Sequence, residues 1–410
     1  MRGDELGQRS ETVRRANLAA IVRQLHARGP QSRSTLVSRT GLTRSAIRGL
    51  IGELAAAGLV SERAPAPLGT PGRPSPMVRL NPERATVLAL EIAVDSLAAA
   101  LVGIGGRVVA IDRVDRQRGH TSVEEVAADL AELARRVVPA GHDPATLVAI
   151  GVAMVAVVRR DDGLVAMAPN LGWTDVPLGA RLAAALGTRI PIVVANEADL
   201  GALAEHRRGA AVDVDDVVYI SGEVGVGGGI IVAGQALTGV AGYAGEIGHM
   251  PLNPNGLPCH CGSVGCWETE VGERALLRRA GHPVDGGGRA AVDAVLAEAS
   301  AGVPRAREAL AEVGRWLGTG LAGLVNIFNP ELVVLGGLLG RIHPYVAATV
   351  AAEVHRRALP APRELVRIVP ASLGVDAPLL GAAELAFEPL LADPAAWLGA
   401  RGVVPELASA

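Results

Sequence analysis

The chain has 410 residues, 49% of them apolar and 20% charged, enough for two or three domains with their own cores and the balance of a globular protein in water. Its longest apolar runs, such as Val148–Val158, fall short of the roughly 20 residues that cross a bilayer, and Met1–Arg28 is too charged for a signal peptide. A net charge of −3 hides an uneven layout, because residues 1–80 hold 13 Arg against five acidic residues (+8) while the rest hold 26 against 37 (−11). There is no lysine. A basic segment joined to an acidic body points to a nucleic-acid-binding module.

Residues 1–12 are polar and read as a frayed end. From Val13 to Arg28, Leu18, Ile21, Val22 and Leu25 recur at helical spacing until Gly29-Pro30 stops the run. Ser34 is placed to cap a short second helix closed by Gly41, and Thr43 a third that Gly58 ends. A short helix, a tight turn and an amphipathic helix make a helix-turn-helix. Leu59-Val60, a Pro/Gly/Arg loop and a return strand over Met77–Leu80 add a wing. The third helix then lies in the major groove, with Thr43, Arg44, Ser45 and Arg48 facing DNA and Ile47, Leu50, Ile51 and Leu54 facing the core. Arg44 and Arg48 suit guanine edges or phosphates. Arg73, in G-T-P-G-R-P-S, suits a narrow minor groove. A merely solvated basic face is the competing reading; the coincidence of helices, wing and charge balance outweighs it.

Residues 81–84, N-P-E-R, read as a junction. Successive strands follow from Ala85, the second and third joined at Gly105-Gly106, then a helix over Ser122–Val138 and a strand run over Leu147–Val158. A helix at Leu178–Leu186, a strand at Ile192–Ala195 and a helix at Ala198–Arg207 come next. Val217–Ser221, the loop G-E-V-G-V-G-G-G and Ile230–Val232 read as strand, tight loop and strand. Helices fill Glu273–Phe328, a buried strand E-L-V-V-L-G-G follows Asn329-Pro330, a late strand spans Leu365–Val369, and a helix closes at Leu379–Leu391. Strands alternating with helices give an α/β architecture.

Between these elements, Glu246–Glu268 reads E-I-G-H-M-P-L-N-P-N-G-L-P-C-H-C-G-S-V-G-C-W-E. Cys259, Cys261 and Cys266 are the only cysteines, and His249 precedes them. Three thiolates and an imidazole complete a tetrahedral zinc set with no open position, so the ion would brace a loop and do no chemistry. Clustered cysteines of this spacing fit a reducing cytoplasm rather than a disulfide framework. Three unrelated thiols on a buried turn is the alternative, but the prolines and glycines leave this segment little other means of ordering itself.

G-E-I-G-H followed by C-H-C-G-S-V-G-C-W-E resembles the signature of the ROK family (repressors, open reading frames, kinases), and the resemblance covers nearly the whole chain. It implies an α/β fold: an N-terminal winged helix-turn-helix over 1–80, then a two-lobed actin-like, ribonuclease H-like ATPase-type domain. The first lobe would span 81–197, with a helix about 379–400 packing back on it, and the second 198–378 with the zinc loop. The resemblance also implies a structural Zn2+ on His249, Cys259, Cys261 and Cys266 beside a sugar pocket. Asn170, Asn196, Glu197, Glu246, His249 and Glu268 match positions that contact sugar in the family, His249 using one ring nitrogen for zinc and the other for sugar. Trp173 and Trp267 are expected in the core or the pocket wall.

Kinases of the family carry D-x-G-x-T where this chain reads E-I-A-V-D-S over Glu91–Ser96. A Cβ there obstructs the approach of backbone to phosphate. In the second glycine loop, Gly222, Gly225, Gly227, Gly228 and Gly229 leave room for a phosphate, but Glu223 adds an anion. The N-D-A of the catalytic base reads N-E-A, over Asn196, Glu197 and Ala198, a pattern shared by repressors of the family. Glu197 is thus a degenerate base position and no catalytic residue is assigned. The expectation is a cytoplasmic, sugar-responsive repressor that binds sugar without phosphorylating it, as a homo-oligomer (dimer or tetramer) on an inverted-repeat operator. The alternatives are an active, glucokinase-like sugar kinase with an added DNA-binding module, and a regulator answering to a phosphosugar or a partner protein.

Overall fold

The computed structural model describes residues 2–63, 75–285 and 287–399. Helix α1 runs over Arg2–Arg28, so the helix starts well before Val13; Leu18, Ile21, Val22 and Leu25 are buried on one side of it. After β1 (Gln31–Ser32) come α2 (Arg33–Thr40) and α3 (Arg44–Ala56). The cap of α2 is Ser32 and not Ser34: Ser32 Oγ accepts from Thr35 N at 3.0 Å, and Ser34 already lies in the first turn. Thr43 caps α3, its Oγ1 accepting from Ala46 N at 3.2 Å. Ile47, Leu50, Ile51 and Leu54 are buried. Strand β2 (Val60–Arg63) pairs antiparallel with β3 (Met77–Leu80), and β1 takes the other side of β3. The loop between β2 and β3 that carries Arg73 lies outside the described residues.

The first large sheet is built from β4 (Thr86–Ile92), β5 (Ser96–Gly103), β6 (Arg107–Asp115), β7 (Leu147–Met154) and a later strand, with α4 (Val123–Val137) between β6 and β7. Ser122 and Glu125 form a reciprocal capping box at the start of α4. The apolar run after Leu147 leaves this sheet at Met154; Val157–Val158 (β8) instead joins β9 (Val165–Ala168) and β10 (Trp173–Val176) in a small antiparallel sheet. Helix α5 (Leu178–Leu186), β11 (Ile192–Asn196) and α6 (Glu197–Arg208) follow. The order is β11-β7-β4-β5-β6, parallel over the first three and antiparallel over the last two pairs.

The second large sheet begins with β12 (Val217–Gly222), β13 (Val226–Val232) and β14 (Gln235–Ala236). Helices α7 (Glu268–Val271), α8 (Glu273–Ala280), α9 (Arg289–Ser300) and α10 (Pro304–Phe328) precede β15 (Leu332–Gly336), and α11 (Gly337–Arg357) and α12 (Pro360–Leu365) precede β16 (Arg367–Pro370). The order is β14-β13-β12-β15-β16. Leu365 ends α12, and the late strand begins at Arg367. The chain closes with α13 (Ala377–Ala392) and α14 (Pro394–Gly399).

Gly227, Gly228 and Gly229 lie inside β13, not in its turn, and their role is close packing. A Cβ on Gly229 would stand 2.5 Å from Ala198 O and from Ala202 Cβ of α6. On the other side of α6, a Cβ on Gly381 of α13 would stand 1.9 Å from Leu200 O. Helix α6 is therefore gripped at backbone distance between the second sheet and α13. Helix α13 also packs on β4 and β7 of the first sheet. One continuous apolar core joins α1 and α3 to this sheet through Leu18, Ile21, Ala89, Ala149, Phe387 and Leu390. No helix of the described residues is long and apolar enough to cross a membrane.

Candidate ligand pocket and metal centre

Between the two large sheets lies a cavity of about 400 Å³. Asn170, Asn196, Glu197, Glu246, His249 and Glu268, drawn from four separate stretches of sequence, all line it. Its far wall is the β4–β5 turn (Ala93, Val94, Asp95) and the β12–β13 turn (Glu223, Val224, Gly225).

Strand β11 runs into α6 without a loop, and this fixes the pocket floor. Asn196 caps α6: its Oδ1 accepts from Ala198 N at 2.7 Å and its Nδ2 donates to Ala156 O at 2.9 Å. Little of this side chain is left for a ligand, so Asn196 mainly aims Glu197, the first residue of the helix. Among the described residues no cation pairs with Glu197. Burial first, then the neighbouring Glu91, Glu223 and Asp95, push its carboxyl up to about 8. Burial and Asp95 push Glu223 up to about 7, and burial and Glu246 push Asp199 up to about 7. Acids crowded around one poorly hydrated cleft cannot all ionise, so near pH 7 Glu197 keeps its proton and offers an O–H donor.

A carboxyl whose folded-state value is raised stabilises the fold most below its unfolded value, near 4.5 for Glu197, and that contribution is lost as pH climbs through about 8. The ligand-free protein is accordingly expected to lose roughly 1.4 kcal/mol per pH unit from Glu197 alone between these limits. In scanning calorimetry, Glu197→Gln should flatten the fall in melting temperature between pH 6 and 8; a slope identical to that of the parent protein would overturn the assignment.

Glu268 reaches the pocket because position 225 is glycine: a Cβ there would stand 2.6 Å from Glu268 Oε2. Its other oxygen, Oε1, accepts from the Cys259 thiol at 2.8 Å and lies 3.7 Å from His249 Nδ1. His249 turns Nδ1 toward the cysteines, 3.7 Å from Cys259 Sγ, and Nε2 toward Glu246 Oε2 at 3.8 Å. Cys261 Sγ and Cys266 Sγ are 3.6 Å apart, and the four donor atoms lie within 4.8 Å of one another. A tetrahedral zinc with sulfur ligands at about 2.3 Å spaces its ligands by about 3.7 Å, so the donor set fits such an ion with no further ligand needed. The backbone around it is tied by Cys259 N to Ser263 O (2.8 Å), Gly262 N to Cys259 O (3.0 Å) and Trp267 N to Met250 O (2.8 Å). Trp267 anchors the loop, fully buried, its Nε1 donating to Trp316 O at 2.9 Å. Trp173 is likewise buried, its Nε1 donating to Thr121 O at 2.7 Å.

Two arginine links across this region escape a sequence reading. Arg118, just past β6, donates to both oxygens of Glu273 at the head of α8 (2.7 and 2.9 Å) and to Asp95 Oδ2 (2.8 Å), bridging the two sheets. Arg113 pairs with Glu91 (2.9 Å) and Asp376 (3.2 Å). Nothing in one sequence ties Arg118 to Glu273. Glu91, an acid inside the wholly buried strand T-V-L-A-L-E-I, was a legible sign that a cation must come to it.

On the opposite module, Thr43, Arg44, Ser45 and Arg48 are exposed together along α3, with Thr43 Oγ1 and Ser45 Oγ 3.0 Å apart.

The family model for ROK matches residues 87–388. A xylose repressor of Bacillus subtilis (strain 168) is 27% identical over 382 residues, 92% of this chain and 97% of that protein. A glucokinase of Streptomyces coelicolor is 31% identical over 318 residues, 74% of this chain and 98% of the kinase. Among solved structures, a ROK family transcriptional regulator described as a homolog of the E. coli MLC protein superposes with a TM-score of 0.75 at 26% identity, covering 95% of this chain and 98% of its own.

Proposed function

The chain belongs to the ROK family, and from that membership we propose that it is a sugar-responsive DNA-binding repressor whose kinase-like body holds a sugar without phosphorylating it. The observation that carries this reading is the extent of likeness. The repressor and the solved regulator cover 92% and 95% of the chain, too much to leave out the N-terminal module, whereas the glucokinase leaves about a quarter of the chain unmatched. The pocket supports it too. The β4–β5 turn carries Val94 and Asp95, and the β12–β13 turn Glu223, where kinases of this family bring backbone close to phosphate, and side chains there obstruct that approach.

In this reading Asn170, Glu197, Glu246, His249 and Glu268 hydrogen-bond the hydroxyls of one sugar, and Asn196 sets the floor on which it sits. Paired acids and amides discriminate between epimers because a hydroxyl pointing the wrong way leaves a buried polar group unpaired. Zn2+ on His249, Cys259, Cys261 and Cys266 braces the wall that carries His249 and Glu268. The residues Thr43, Arg44, Ser45, Arg48 and Arg73 read an inverted-repeat operator as part of a homodimer or tetramer in the cytoplasm, the symmetry of the site mirroring that of the protein. Sugar must favour one arrangement of the two sheets over the other for binding to reach the DNA.

The test uses full-length protein, a duplex that it selects from a random pool, and D-xylose, D-glucose and D-glucose 6-phosphate as probes. One free sugar is expected to raise the melting temperature and to change duplex affinity by about tenfold or more. Selection of no duplex, or a duplex affinity unmoved by a sugar that binds, would overturn the reading.

A further inference from the structure

Helix α6 starts at the pocket, where Asn196 caps it and Glu197 faces the cleft, and its 12 residues carry the chain about 17 Å to Arg208. There it meets the DNA-binding module in the interior of the protein. Arg208 Nε donates to Glu384 Oε1 of α13, and Arg208 Nη1 to Gly105 O in the β5–β6 turn (3.1 Å). The second oxygen of Glu384 lies 2.9 Å from Nε2 of His26, in the last turn of α1. His26 Nδ1 accepts from Gly105 N at 3.0 Å, so Nε2 carries the ring proton and donates it to Glu384. Arg208 Nη2, 2.7 Å from the same Nε2, is then a close neighbour and not a donor to the ring. The His26 and Glu384 side chains are 1% and 3% exposed.

Resting on the sugar-responsive reading above, we infer that Arg208, Glu384 and His26 are positioning residues through which α6 couples the pocket to the DNA-binding helices. Three observations converge on it. Helix α6 is held at backbone contact by Gly229 on one side and Gly381 on the other, so it moves as a unit with its neighbours and not by bending. Its two ends are the pocket floor and the junction. Among the described residues, the other ion pairs between α1 and the body, Arg15 with Asp393 and Arg28 with Asp213, lie at least partly in solvent, and such pairs hold geometry weakly. A buried charged junction has few satisfactory arrangements, so a shift of α6 must either carry α1 with it or break the junction.

The experiment uses full-length protein and a duplex that the parent protein selects from a random pool, with hydrogen exchange as the readout. The amides of Ala198 and Asp199 report the α6 cap, since both donate to Asn196 Oδ1. Duplex binding is expected to change their exchange by about threefold or more, and Arg208→Met to abolish that change while leaving duplex affinity within about threefold. Arg208→Lys, which retains the charge, should recover part of it. Glu384→Gln, nearly the same shape, serves if Arg208→Met does not fold. A change at Ala198 and Asp199 that is equal in the parent and the variants would overturn the inference, as would its absence in a parent that binds its duplex. A parent that selects no duplex would overturn the regulatory reading itself, and the coupling with it; the two failures are thus told apart.

Discussion

Replacing Cys259 and Cys261 together by serine should strip the metal from the protein and weaken sugar binding at least about a hundredfold, because structural zinc sites supply about 10–16 kcal/mol in small metal-folded peptides. The segment from Pro251 to Gly265 has little else to hold it. Most of it is exposed, and it is tied by two isolated β-bridges, Pro251 with Cys266 and Pro258 with Val264, and a few backbone hydrogen bonds. His249 and Glu268 stand at the two ends of that segment, so slackening it misplaces two of the groups proposed to hold sugar. Metal analysis should find about one zinc per parent chain and almost none in the double variant. Calorimetry should show the lost sugar affinity. Duplex affinity without sugar should stay within about threefold, since α1–α3 draw their core from elsewhere. Unchanged sugar affinity in a metal-free variant would end the idea that the ion shapes the pocket.

A coupled assay with ATP and D-glucose or D-xylose should show turnover below about 0.001 per second, against about 1–100 per second for working kinases. At the base position the family's Asp is replaced by Glu197, whose carboxylate sits one methylene further out, and a misplacement of about 1 Å costs on the order of a hundredfold in rate. The β4–β5 turn offers Val94 and Asp95 where close backbone approach would be needed, and Glu223 stands on the facing turn. Arg118, a cation near that wall, is already shared between Asp95 and Glu273. Sustained phosphorylation above about 0.1 per second would reverse this reading and make the glucokinase likeness the better guide.

Much of this site was legible because its signals are local. The spacing of Cys259, Cys261 and Cys266 after His249 draws attention before any fold is known, and the structure gathers the four donors. Thr43 is readable as a cap because the helix it starts is amphipathic from its first turn. The cap of α2 falls two residues before Ser34 because Ser32 and Ser34 are equally suited by type, and only the backbone decides between them. The break at Met154 was hidden because Val155–Val158 is as apolar as the strand before it, and hydrophobicity does not say which sheet a strand joins. The glycines of β13 look like a loop in sequence, but Gly227 and Gly229 admit α6 and Gly228 admits Ile247. Arg118 with Glu273 and His26 with Glu384 are 155 and 358 residues apart, and no pattern within one chain announces a pair at such distances.

The apolar core that runs without a seam from α1 into the first sheet limits how this architecture can be rearranged. Leu18, Ile21 and Leu25 share a core with Phe387 and Leu390 of α13, and Trp397 and Leu398 of α14 pack at its margin. A DNA-reading head grafted from another protein at residue 80 would leave those side chains facing a stranger's surface. A working chimera would have to import its own last two helices along with its first three, the two ends of the polypeptide exchanged as one part.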